Sequence, residues 1–144
     1  MNEIIRKRKS IRKYDLTPLD AATLEKVRAK IAGVKPLYSN IRYSIEITDK
    51  TKGIMGVKAP HYLIFGSEEK DGSLENIGFI GQQMDLFFSA SELGSCWLGV
   101  AKPDEREASA LPYVDRNVYF LWGRGKTTIA NELHRKYGYY VYDV

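Results

Sequence analysis

The segment from Ser73 to Leu93 constrains this chain more than any other. Leu74, Ile77, Ile80, Met84, Phe87, Phe88 and Ser91 recur mostly at spacings of three and four, so a helix gathers them on one side. About twenty residues rising 1.5 Å each span about 30 Å, the width of a small domain. A helix this long and apolar is expected to form the central pillar of the fold. Gly78 and Gly81 interrupt it, and each costs roughly 1 kcal/mol of helix propensity relative to Ala. Both are expected to admit the close approach of another backbone, from within the core or from a partner. Gly94 is expected to close the helix.

The remaining elements are shorter. Asn2 to Lys9 reads as a helix with Ile4 and Ile5 on its apolar side. Thr17-Pro18-Leu19-Asp20 is a helix start, with Thr17 as the cap, Pro18 in the first turn and Asp20 at the positive end of the dipole. Leu24, Val27 and Ile31 give that helix one apolar face, and Gly33 and Pro36 end it. From Ile41 to Thr48 apolar and polar residues alternate, which predicts a half-buried strand. A Lys- and Gly-rich loop follows, and then His61 to Phe65, whose unbroken apolar run predicts a more buried strand. Asn117 to Trp122 reads as another strand, Ile129 to Lys136 as a helix, and Tyr139 to Tyr142 as a last short strand. Helices and strands do not alternate regularly, so the class is α+β, one domain in 144 residues.

Several functions are excluded or disfavoured by residue type. No apolar run approaches the ~18 residues of a membrane span, and the basic N-terminus leads into no signal-peptide core. One cysteine, Cys96, makes neither a disulfide framework nor a metal cluster, so a reducing cytoplasm is the expected setting. Cys96 has no histidine in sequence reach and is expected to pack rather than attack. His61 and His134 cannot form a metal site by themselves. Gly123-Arg-Gly-Lys-Thr-Thr128 follows a strand but lacks the first glycine of a phosphate loop. The net charge of +4 is uneven: Arg6, Lys7, Arg8, Lys9, Arg12 and Lys13 fall together. Such a run calls for an anion, a nucleic acid or water. No helix-turn-helix, zinc or RNA-binding signature accompanies it, and a nucleic-acid module would bind with a steep salt dependence.

Three stretches carry a family resemblance. Arg8-Lys9-Ser10-Ile11-Arg12-Lys13-Tyr14-Asp15 resembles the opening motif of the nitroreductase family. Lys58-Ala59-Pro60 is similar to the segment before that family's central helix. Gly81-Gln-Gln-Met-Asp-Leu86, running into Glu92-Leu-Gly-Ser-Cys-Trp-Leu-Gly99, resembles the central helix and the turn against the flavin. The likeness is nearest to the compact clostridial and thermophile branch, and its order and spacing extend over roughly residues 4 to 135.

The resemblance implies a nitroreductase-like fold, a central mixed or antiparallel sheet flanked by helices around one long core helix. It implies FMN bound in clefts of a homodimer, with NAD(P)H (NADH or NADPH) as donor. It implies hydride transfer to a nitro, quinone or similar electron-poor acceptor, with no side-chain catalytic acid or base. A flavin-binding member without catalysis, a sensor or store, is the alternative. Arg8, Lys9, Ser10 and Arg12 are implied as ligands of the phosphate, ribityl chain and pyrimidine edge. Leu98, Gly99 and Val100 are implied to lay backbone against the ring, and Arg135 to bring a further cation to the phosphate. Ser39-Asn40-Ile41 holds the place of the family's ring-contacting Asn without its Gln-Pro-Trp, so Asn40 is not carried over. Tyr137 to Tyr142 stands where relatives extend an arm across the partner, and it is expected to act as a shortened arm.

Overall fold

The computed structural model describes residues 2–49, 58–98 and the backbone of 118–123. Within them the elements run α1 (Asn2–Lys7), α2 (Ala21–Ala32), β1 (Tyr43–Thr48), β2 (His61–Ser67), α3 (Ser73–Ala90), β3 (Gly94–Leu98) and β4 (Val118–Gly123). The four strands form one sheet in the order β1-β2-β4-β3, every neighbouring pair antiparallel.

β2 is buried along its whole length, as its unbroken apolar run predicts. Its side chains alternate between two cores. Leu63 and Phe65 join the main core with Val27, Ile77, Ile80, Met84 and Phe88. Tyr62 faces a smaller cluster with Tyr14, Ala59 and Cys96. β1 pairs with β2 from Tyr43 opposite Ser67 to Thr48 opposite Tyr62. Its Tyr43, Ile45 and Ile47 pack on the main core, which is the face that the alternation assigns to them.

α3 is the pillar expected, with Ile77, Ile80, Gly81, Met84, Asp85 and Phe88 on its buried side. Leu74, expected on that side, is 59% exposed in the first turn. Periodicity fixes the angle of a side chain about the axis, not how far the core extends along it. The helix also stops earlier than expected, at Ala90 rather than Leu93. Glu92 adopts the left-handed conformation (φ 58°), its N–H reaches Ser89 O at 3.3 Å, and the Leu93 N–H reaches Phe88 O at 2.8 Å. This is a Schellman ending, in which Leu93 also folds back to the core beside Phe88. Gly94 therefore does not close the helix. It opens β3, a strand that the sequence reading missed.

Two smaller corrections concern helix starts and ends. Asp20, not Thr17, caps α2, accepting from Thr23 N and Thr23 Oγ1, both at 2.8 Å. The Thr17 N–H instead donates to Asp15 Oδ1 at 2.9 Å. α1 ends at Lys7, and Ile5 is 54% exposed, so its expected apolar side is only half covered. The expected helix at 129–136, the strand at 139–142 and most of the loop after β1 lie outside the described residues.

Candidate functional site

The basic N-terminal segment does not float on the surface. It is fixed against α3 and β3. The Arg8 guanidinium donates to Asp85 Oδ2 at 2.8 Å, and Ser95 Oγ donates to Asp85 Oδ1 at 2.5 Å. Asp85 lies on the buried side of α3 with its side chain 1% exposed, whereas Arg8 keeps 28% of its side chain in solvent. Ser10 bridges Ser95 in parallel, and the Ile11 N–H donates to Ser95 O at 2.9 Å. The segment thus borders β3 on the edge away from β4.

Tyr14 pins the other end. Its side chain is buried, and its hydroxyl donates to Ile11 O at 2.5 Å. Burial pushes its phenol pKa above the ordinary value, with Cys96 and Asp85 adding in the same direction. The phenol therefore stays protonated and keeps its donor role. Gly94 completes the fit, because a Cβ there would fall 2.9 Å from the Cβ of Ile11. Only glycine lets the segment lie this close to the start of β3.

The segment presents its charges outward as a result. Lys9, Arg12 and Lys13 are exposed, Ser10 is half-buried, and neither Lys9 nor Arg12 has an ion pair to a carboxylate among the described residues. β3 then runs from Ser95 through Cys96 and Trp97 to Leu98. Trp97 stacks on Phe65 with ring centroids 5.8 Å apart, and its indole covers Gly81 of α3. The strand end at Leu98 is thereby set by the main core.

Of the residues implied by the resemblance, Arg8, Lys9, Ser10, Arg12 and Leu98 are described. The structure brings the first four and β3 together. Gly99, Val100 and Arg135 lie outside the described residues. Two residues that hold the site were missed, Asp85 and Ser95. Asp85 had a readable signal: it falls four residues after Gly81 and three before Phe88, on the apolar stripe, where an unpaired carboxylate is costly. Cys96 is buried, as expected for a packed thiol. His61 is buried and its Nε2 accepts the Leu19 N–H at 3.0 Å, a hydrogen-bonded core histidine. Burial lowers its pKa, against an opposing effect of Asp49. No group of His, Cys, Asp and Glu that could hold a metal occurs among the described residues. No described helix is long and apolar enough to cross a membrane.

Comparison with known proteins gives the same picture. The family model described as "Putative TM nitroreductase" matches residues 1–143. A nitroreductase family protein from Clostridium difficile 630 superposes with a TM-score of 0.65 at 20% identity, over 94% of this chain and 91% of that one. An FMN-dependent nitroreductase from Clostridium difficile R20291 gives 0.66 at 18% identity, over 88% of each chain. A nitroreductase with bound FMN from Bacteroides fragilis NCTC 9343 gives 0.65 at 14% identity, over 99% of this chain and 92% of that one. At these identities the structural likeness is one of fold. No curated protein matches in sequence. With a sheet built around one long helix and a family match along its length, the chain belongs to the nitroreductase family.

Proposed function

We propose that this chain is an FMN-dependent oxidoreductase that passes hydride from NADH or NADPH to a nitro, quinone or similar electron-poor acceptor. The observation that carries this reading is a basic segment held against α3 and β3 whose outer cations have no carboxylate partner among the described residues. A phosphate dianion satisfies such a set, since charge-assisted hydrogen bonds to phosphate are among the stronger polar contacts. Arg8, Lys9 and Arg12 supply the charge, and the Ser10 hydroxyl donates to a phosphate or ribityl oxygen. After Leu98, Gly99 and Val100 are implied by the resemblance to offer backbone to the ring, and Arg135 to bring a further cation.

FMN, when bound, supplies the two-electron relay between donor and acceptor. The chain contributes binding, orientation and electrostatics, and no side chain is assigned as catalytic acid or base. A homodimer with shared clefts, in a cytoplasmic setting, completes the proposal.

The test is the absorption spectrum of freshly purified protein, followed by NADPH or NADH and then a nitroaromatic. A yellow protein bleached by the nucleotide and reoxidised by the acceptor is expected. A colourless protein that takes up no added FMN would sink the reading. A yellow protein that neither nucleotide bleaches is a flavin binder without turnover.

A further inference from the structure

We infer that residues 35–40, between α2 and β1, form a strap that swings off α3 as one unit while the core beneath stays folded. The strap lies between two buried anchors, Val34 and Ile41, whereas none of the six residues between them is buried. Lys35 precedes Pro36, which confines Lys35 to extended backbone. Extended backbone makes no ladder with itself, so its N–H and carbonyl groups need partners elsewhere.

Side chains of α3 and of the turn leading into it supply them. Gln83 holds Lys35 twice, its Oε1 accepting the Lys35 N–H at 3.1 Å and its Nε2 donating to the Lys35 carbonyl at 2.7 Å. Asn76 Oδ1 accepts the Tyr38 N–H at 3.0 Å, and Lys70 Nζ donates to the Asn40 carbonyl at 3.0 Å. The spacings match. Gln83 stands two turns beyond Asn76, about 10 Å along the axis, and Lys35 to Tyr38 spans about 10 Å when extended. The strap thus runs antiparallel to α3, held rung by rung. The Tyr38 ring covers the start of the helix, where a Cβ on Gly72 would fall 2.8 Å from Tyr38 Cε2.

The seated strap leaves a donor stranded. Asn76 is fully buried, and its Nδ2 has no hydrogen-bond partner among the described residues. Such a group has lost its water and gained nothing in return. Lifting the strap hydrates that N–H, and little apolar surface is newly exposed, because Leu37 and Tyr38 already face solvent. Opening therefore costs far less than unfolding the core, in which Val27, Ile80, Met84 and Phe88 are fully buried. Because the rungs share one short length of chain between fixed ends, releasing one releases the others.

Native-state hydrogen exchange of the protein as purified, read by NMR, tests this. The Lys35 and Tyr38 amides should show the same protection, at least about a hundredfold below that of the slowest β2 amides. The Asn76 side-chain NH2 should become accessible in the same opening. Gln83→Ala should quicken Lys35 and Tyr38 by a common factor of about tenfold, the loss of its hydrogen bonds, although Gln83 makes no bond to Tyr38. Should Gln83→Ala fail to fold, Lys70→Met removes the exposed rung at Asn40 and should quicken the same two amides together. A variant that quickens only the amide nearest its own rung would overturn the inference, since the rungs would then open independently. Strap amides, or an Asn76 NH2, that exchange only as slowly as β2 would overturn it as well, since the strap would then open only with the core.

Discussion

The indole of Trp97 occupies the space beside Gly81 that any larger residue would fill with its Cβ. A glycine on this apolar stripe predicts the close approach of another backbone. A side chain from β3 approaches instead, and it couples the middle of α3 to the strand that ends at Leu98.

Gly81→Ala should therefore destabilise despite the better helix propensity of alanine. Overpacking of a full core costs typically about 1–3 kcal/mol, against about 1 kcal/mol of propensity gained. The net loss, up to about 2 kcal/mol, is measurable by urea denaturation. Displacing Trp97 also moves the end of β3, so flavin affinity should fall with stability. A variant as stable as wild type with unchanged flavin affinity would show that Trp97 moves aside without consequence.

A second prediction concerns the end of α3, where Glu92 holds a left-handed φ of 58°. That conformation costs a residue with a Cβ roughly 1–2 kcal/mol, and most of the penalty disappears for glycine. Part of the gain is offset by the greater freedom of glycine in the unfolded chain. Glu92→Gly should be neutral or stabilising by up to about 1 kcal/mol. Glu92→Val, with its branched Cβ, should lower the melting temperature. Equal melting temperatures for the two variants would argue against the Schellman ending.

The histidine in the core predicts a pH dependence. His61 accepts the Leu19 N–H through Nε2, so the fold requires its neutral form, and burial lowers its pKa from 6.5. The sign follows from linkage. Below about pH 6.5 the unfolded chain takes up a proton that the folded chain refuses, so stability falls as pH drops toward the lower folded pKa. Above pH 6.5 the contribution is full and constant. His61→Gln, which can offer an amide oxygen to Leu19, should flatten the wild-type decline between pH 6.5 and 5 in thermal melts. An identical decline in the variant would assign it to other groups.

Much of this architecture is legible in the sequence because it is periodic. Ile77, Ile80, Met84 and Phe88 announce α3, and Tyr43, Ile45 and Ile47 announce β1, since each spacing matches one geometry. β3 was missed because Gly-Ser-Cys-Trp-Leu is short, carries no alternation and abuts a helix whose end was misplaced. That end depends on Glu92 taking a conformation that favours glycine, whereas the glycine that follows, Gly94, lies in β3. The site divides along the same line. The clustered cations are local and readable, whereas the pairing of Arg8 with Asp85 joins residues 77 positions apart. Such a contact exists only once α1 and α3 meet. The burial of Asp85 was implicit in its spacing on the stripe, but its partner was not.

The last prediction concerns assembly. α3 buries one side in its own chain and leaves Leu74 59% and Phe79 45% exposed, with Gly78 between them in sequence. A Cβ at Gly78 would meet nothing within 4 Å. In an isolated chain Gly78→Ala should then stabilise the helix by about 1 kcal/mol. The proposed homodimer changes the sign of its effect on association, because a partner packed against the glycine has no room for the added methyl. Sedimentation of wild type should give twice 16.4 kDa. Gly78→Ala should keep the fold, as judged by circular dichroism, while weakening the dimer. Phe79→Glu, which places a charge on the same exposed face, should weaken it further. If Gly78→Ala raises the melting temperature and leaves association untouched, this face of α3 meets water and the shared clefts must be built elsewhere.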